Sequence, residues 1–256
     1  MRRSSSVLAG QVAIGAGALL AWQVLAARKV IDPFFFSKPS DIGARVGEWV
    51  LSGTVFPHLG TTLLEALLSF VLGVLAGVTA GFVLGRSGWL ALVVEPYIQI
   101  ANAIPRIVLA PIFLLWFGLG IWSKVALGVT TVFFIVFFNT FQGVRDVEPV
   151  LLNNARILGA SERQLARHVL LPSALAWIFS SLQVSIGFAI IAAVVGEYMG
   201  SSRGIGYVIA QAEGVFDTTG VFAGIVVLST VVVLVGRGVK AAEAHLLRWK
   251  NPPPVR

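Results

Sequence analysis

The chain has 256 residues, 57% hydrophobic and 12% charged, with a formal net charge of +7 and no cysteine; its mean hydropathy is +0.87. A soluble domain carries roughly 25% charged residues and shows most side chains to water, so this composition excludes one and indicates an all-α, polytopic membrane protein. The basic residues fall mostly between apolar runs, which argues against nucleic-acid binding, and the lack of cysteine excludes disulfides and thiolate metal sites.

Six membrane-spanning helices are predicted. The first, about 7–27, follows Arg2 and Arg3. Its apolar run exceeds the roughly 7–15 residues of a signal-peptide core, so it reads as a retained helix with an inside N-terminus. Residues 31–53 read as an external connector of mixed charge. The second helix, about 59–84, carries Gly73, Gly77, Gly81 and Gly85 at every fourth position. That spacing nearly matches the helical turn and predicts one stripe for close helix packing. Thr62 and Glu65 fit a capping box at the start of this helix, which gives Glu65 a structural role and no place in a site. The third helix lies within about 90–119, interrupted by Pro96, Pro105 and Pro111. Two readings fit: one span from Leu90, or a short interfacial helix from Leu90 to Ala103 with the span starting near Ile104. The fourth, fifth and sixth helices are about 121–141, 174–195 and 218–235, and the prolines within Asn251 to Val255 make a non-helical tail.

Alternation from an inside N-terminus also leaves the C-terminus inside. It puts Arg2, Arg3, Arg86, Arg145, Arg156, Arg163, Arg167, Arg237, Lys240, Arg248, Lys250 and Arg256 on the cytoplasmic side. Arg28, Lys29, Lys38, Arg45, Lys124 and Arg203 fall outside, and Arg106 is assigned to neither side. The asymmetry runs in the direction of the positive-inside rule.

The connection of about 142–173 is the longest predicted cytoplasmic segment. Val150 to Leu158 reads as a short helix, and Gly159 suits its left-handed end. Ser161 and Gln164 then fit a capping box for a second helix, Ala160 to Leu171, which Pro172 closes where the chain re-enters the membrane. Leu165, Val169 and Leu171 are apolar, and Arg163 and Arg167 lie one turn apart. The expected object is a rigid helical elbow with an apolar edge and basic flanks, suited to docking on a partner.

On these residues the chain resembles the permease subunits of bacterial ABC importers, the binding-protein-dependent type I family. Their cytoplasmic EAA loop reads Glu-Ala-Ala, three residues, Gly, nine residues, Ile, one residue, Leu-Pro. The chain has Ala155, Gly159, Val169, Leu171 and Pro172 at those spacings, with Ala160 and Ser161 after the glycine. The front departs, because Asn153 and Asn154 replace Glu-Ala. Ala103 to Arg106, Ala110-Pro111 and Leu115 to Gly118 resemble the nitrate, sulfonate and taurine branch, as do Glu197 to Gly200 and Gly204 to Tyr207.

The resemblance implies a bacterial inner-membrane subunit in a type I permease fold. It implies a second permease copy, two ATPase subunits docked on the loop 153–172, and a periplasmic or lipid-anchored binding protein. ATP and Mg would belong to the partner ATPase, with no cofactor in this chain. ATP binding would draw the coupling loops together and turn the pathway outward. The sequence itself has no G-x-x-x-x-G-K-[ST] loop, which agrees with hydrolysis on a separate chain.

Ionisable groups inside a membrane are costly and mark functional candidates. Arg106 is a candidate for favouring an anionic solute, although a later helix start lets it snorkel to the interface. Glu197, after the fifth helix, is a candidate for an external gate, although a solvated helix end also fits. Asn102 and Gln183 are pathway candidates for which an interhelical hydrogen bond is the favoured explanation. A non-ABC six-helix transporter or channel predicts acidic or histidine relays and an inverted repeat, and neither is evident. No nucleophile–base pair argues for an enzyme. A permease for another class of solute is the nearer alternative.

Overall fold

The structure, a computed structural model, describes residues 5–246. Arg2, Arg3, Arg248, Lys250, Arg256 and the proline tail lie outside the described residues. The described residues form helices α1 (Ser5–Ala27), α2 (Pro33–Phe36), α3 (Pro39–Leu51), α4 (Val55–Arg86), α5 (Gly88–Ala103), α6 (Ala110–Phe117), α7 (Ile121–Arg145), α8 (Pro149–Ile157), α9 (Glu162–Leu165), α10 (Leu171–Met199), α11 (Ile205–Gly214) and α12 (Thr218–Leu246). Among the described residues, five stretches are long and apolar enough to cross a membrane: α1, α4, α7, α12 and the helix from Glu162 to Met199. The chain is a multi-pass membrane protein.

The sixth span is broken, with α5 and the stretch Arg106–Phe117 meeting at 83°. Pro105 causes the break. It lacks an N–H, its ring would meet the carbonyl one turn back, and it holds Ile104 extended at φ −67°, ψ 123°. A 3-10 turn, Arg106–Leu109, then leads into α6, whose first turn tolerates Pro111. The chain from Leu90 is therefore not one continuous helix, and the stretch after Ile104 forms a separate half.

Residues 31–53, expected as a plain connector, contain two helices instead. Asp32 caps α2 by accepting from the Phe34 N–H at 2.9 Å. In α3, Ile42, Val46 and Trp49 repeat at helical spacing; Ile42 is buried, and Val46 and Trp49 pack with Val55 and Ile205. The charged opposite face hid this pattern in the composition.

The start of α4 is a further correction. The helix begins at Val55, because Pro57 is tolerated in a first turn where N–H groups have no intrahelical partner. Thr62 and Glu65 are then interior, fully buried residues and form no capping box at a helix start.

The core is the packing of α4, α7 and α10. Ala66, Val132, Val136, Ala189, Ile190 and Ala193 form its centre. Gly73, Gly77, Gly81 and Gly85 line α4 where α7 passes. A Cβ at Gly73 would stand 2.6 Å from Val132 Cβ, and one at Gly81 2.7 Å from the Phe137 carbonyl oxygen. α7 reciprocates at Gly128, where a Cβ would overlap Ser69. Backbones this close are reached only through small residues. α1 lies at the margin, with Ala26 its one buried residue among those described; Trp22 meets Phe222 edge-on at 5.6 Å.

Candidate functional site: an elbow, a broken span and a buried ionic cluster

The carboxyl ends of α4 and α7, together with α8 and α9, make the elbow end of the bundle. α8 closes through Gly159, at φ +85°, where L side chains are disfavoured. The Gly159 N–H donates to the Arg156 carbonyl at 2.9 Å and the Ala160 N–H to the Ala155 carbonyl at 3.0 Å, the paired bonds of a Schellman motif. Three residues on, the Ser161 N–H donates to Gln164 Oε1 at 2.8 Å, and the Gln164 N–H to Ser161 Oγ at 3.3 Å. This reciprocal box starts α9.

Between the two arms the apolar tip is bare. Ile157 and Leu158 are 83% and 86% exposed, beside exposed Asn153 and Asn154. Leu165 is buried and fastens the second arm to the bundle, while Arg163 and Arg167 face outward and Val169 is half-buried. The surface therefore combines a large exposed apolar tip with flanking guanidinium groups.

The second arm differs from the expected closed hairpin. It does not stop at Pro172. Five residues, Ala166–Leu170, form a wide π-helical turn in which the Leu171 N–H reaches back to the Ala166 carbonyl. Pro172, whose ring would press on the carbonyl four residues back in a regular helix, follows that widened turn directly. Leu171 and Pro172 are exposed. The elbow's second arm and the fifth span are thus one helix of 38 residues, Glu162–Met199.

At the broken span, the Arg106 guanidinium replaces backbone donors lost at Pro105. Nη1 donates to the Asn102 carbonyl at 2.7 Å and Nη2 donates to Asn102 Oδ1. The group also stands 4.8 Å above the Phe134 ring. Asn102 and Arg106 therefore act as one unit, half-buried at the break. Gln183 is elsewhere, exposed on α10 beside a cavity of about 300 Å³ that Val232 and Gly236 also line. The four sequence-derived pathway candidates do not converge on one site.

Glu197 is not a solvated helix end. It lies 1% exposed at the far end of the bundle, with Thr62, Glu65 and Lys124 equally buried around it. Thr62 Oγ1 donates to Glu197 Oε1 at 2.7 Å, and the Gly206 N–H donates to Glu197 Oε2 at 2.8 Å. Among the described residues Glu65 Oε2 is buried without a hydrogen-bond partner. Lys124 Nζ itself donates to the carbonyls of Leu119 at 2.6 Å and Gly120 at 3.1 Å, tying the end of α6 to the cluster.

Neither Glu65 nor Lys124 was identified from the sequence as a site residue. The structure corrects the cap assigned to Glu65, and it buries Lys124 in the first turn of α7. The available signal was the rule that a carboxylate within a span marks function by default. Truncating one partner of such a buried set typically costs about 3–5 kcal/mol, because the charges left behind stay out of water.

Known proteins share this architecture. The family described as Binding-protein-dependent transport system inner membrane component matches residues 69–247. The putative aliphatic sulfonates transport permease protein SsuC of Bacillus subtilis (strain 168) is 36% identical, over 90% of this chain and 83% of its own length. The formylaminopyrimidine transport permease protein ThiX of Halalkalibacterium halodurans is 32% identical, over 91% of this chain and 92% of its own. The taurine transport system permease protein TauC of Escherichia coli (strain K12) is 28% identical, over 94% and 91%. Among solved structures, a chain of the MetNI methionine ABC transporter in an inward-facing conformation superposes with a TM-score of 0.60 at 21% identity, covering 79% of this chain and 97% of that one. At that identity the likeness establishes the fold.

Proposed function

The chain belongs to the family of inner membrane components of binding-protein-dependent transport systems, and from that premise we propose that it carries a small anionic solute of the sulfonate class through a pathway shared with a second copy of itself. It is an ABC-transporter permease, working in an assembly with an ATPase and a binding protein. The elbow carries the reading: an exposed apolar tip, a glycine turn and a fixed second arm continuous with a span, at the spacing of the family's coupling loop. Two ATPase subunits dock there, one on each permease copy. They hold the ATP and Mg, and the chain itself is non-catalytic.

Docking on the ATPases places the elbow end in the cytoplasm, which puts both termini inside. The unit of Asn102 and Arg106 supports the sulfonate class. Two of the five guanidinium N–H donors serve Asn102, which leaves three for an oxyanion that arrives at the break. The similarity to SsuC and TauC points the same way. The similarity to ThiX favours a second reading, a heterocyclic solute delivered by a different binding protein.

The test is co-purification of the chain with candidate ATPases, followed by ATP hydrolysis with and without sulfonate-loaded binding protein. Recruitment of an ATPase and stimulation by the loaded binding protein are expected. A permease that recruits no ATPase overturns the coupling role. Stimulation by a pyrimidine-loaded but not a sulfonate-loaded binding protein overturns the solute class alone.

A further inference from the structure

Three successive backbone N–H groups at the start of α11 are taken by side chains of the spans. The Gly204 N–H donates to His58 Nδ1 at 3.2 Å, the Ile205 N–H to Thr62 Oγ1 at 2.9 Å and the Gly206 N–H to Glu197 Oε2 at 2.8 Å. These are among the N–H groups that a helix start leaves without an intrahelical partner, and α11 is 10 residues long. Glu197 thus receives two donors, one from Thr62 and one from the end of a helix that favours negative charge. Glu65, one turn from Thr62 on α4, makes none of these bonds.

The packing leaves no slack. A Cβ at Gly204 would overlap the Glu197 carboxylate, one at Gly206 would stand 2.9 Å from Glu197 Cβ, and one at Gly196 would stand 2.9 Å from Lys124 Cγ. The cluster joins α4, the turn between α6 and α7, the end of α10 and the start of α11 at one node. Glu197 is also two residues from the end of the continuous helix whose other end is the elbow. That helix is about 57 Å long at 1.5 Å per residue.

We propose that Glu197 is a positioning residue that transmits coupling: it pins α11 to the far end of the rod Glu162–Met199, so that displacement of the elbow moves α11. This rests on the elbow being the ATPase dock. Glu65→Gln leaves the bonds to α11 in place, whereas Glu197→Gln removes the anion that the Thr62 hydroxyl and the Gly206 N–H meet.

The experiment is solute uptake and ATP hydrolysis measured together in proteoliposomes holding the full assembly. The wild type, Glu65→Gln, Glu197→Gln and Thr62→Val are compared, with assembly checked by co-purification. Glu65→Gln should keep solute moved per ATP within about twofold of wild type. Glu197→Gln should lower that ratio at least about tenfold, the scale of one lost charge-assisted hydrogen bond, while hydrolysis continues. Thr62→Val should lower it in the same direction, and it carries the test if Glu197→Gln does not assemble. Equal behaviour of the two glutamine variants, or an unchanged ratio in Thr62→Val, overturns the proposal. A wild-type chain that recruits no ATPase overturns the coupling reading instead.

Discussion

At the residue scale, Asp217 shows how one side chain fixes a junction between helices. It precedes α12 and accepts from Arg45 Nη1 of α3 at 2.6 Å and from the Gly220 N–H at 3.0 Å. Burial alone would push its carboxyl upward, but the Gly220 N–H, the Arg45 guanidinium and the Thr219 N–H outweigh burial and hold it below its ordinary value. A carboxylate depressed in the folded state contributes stability that is fully present above its unfolded value, near 4, and is lost as pH falls through the folded one. The pair is partly exposed, so its contribution is on the order of 1 kcal/mol or less. Thermal unfolding followed by tryptophan fluorescence should therefore show Asp217→Asn about 1–3 °C below wild type at pH 6. The gap should close as both are taken below pH 4. A gap that persists or widens in acid would show that the Arg45 contact is not what depresses Asp217.

At the element scale, α4 carries two messages on one face. Thr62, Glu65, Ser69, Gly73, Gly77 and Gly81 are all buried and follow one another at spacings of three and four. The lower part lets α7 approach, and the upper part builds the ionic cluster. Gly77→Ala should lower stability by about 1–3 kcal/mol, since the new Cβ would stand 2.9 Å from the Phe133 carbonyl oxygen and 2.9 Å from Val136 Cβ. Gly60→Ala on the same helix meets nothing within 4 Å and should gain up to about 1 kcal/mol from helix propensity. The two unfolding midpoints in detergent should move in opposite directions. If Gly77→Ala unfolds at or above wild type, the α4–α7 contact is not as close as the geometry requires.

The glycine spacing could be read in the sequence because it depends only on the helical period. Its partner could not, because nothing in α4 names α7. The polar half was misread for a local reason. Thr62 and Glu65 have the three-residue offset of a capping box, and Pro57 disguised the true helix start four residues ahead of the expected one. The Ser161–Gln164 box was legible because both halves of that signal are sequential neighbours. The Thr62–Glu197 bond joins residues far apart in sequence, and only tertiary packing brings them together.

At the scale of the whole molecule, the proposed coupling runs along the unbroken helix Glu162–Met199, whose weak point is the wide turn Ala166–Leu170. A π-helical turn is one extra residue inserted in an α-helix, so it offsets the residues before it by about 100° relative to those after it. That offset places Leu165 against the bundle and leaves Arg163 and Arg167 outward. His168 is exposed and only caps the Gln164 carbonyl, at 3.1 Å. A variant lacking His168 should close the turn to ordinary α-helix, swing Leu165 out and rotate the elbow by about 100° against an unchanged span. Its unfolding midpoint should fall by only a few degrees, roughly the loss of one buried leucine in a chain of this size. ATP hydrolysis stimulated by the binding protein should be lost, because the apolar tip of Ile157 and Leu158 would no longer face its dock. Full stimulation in that variant would mean that the elbow finds its orientation through α8 alone, and that the rod does not set the geometry of coupling.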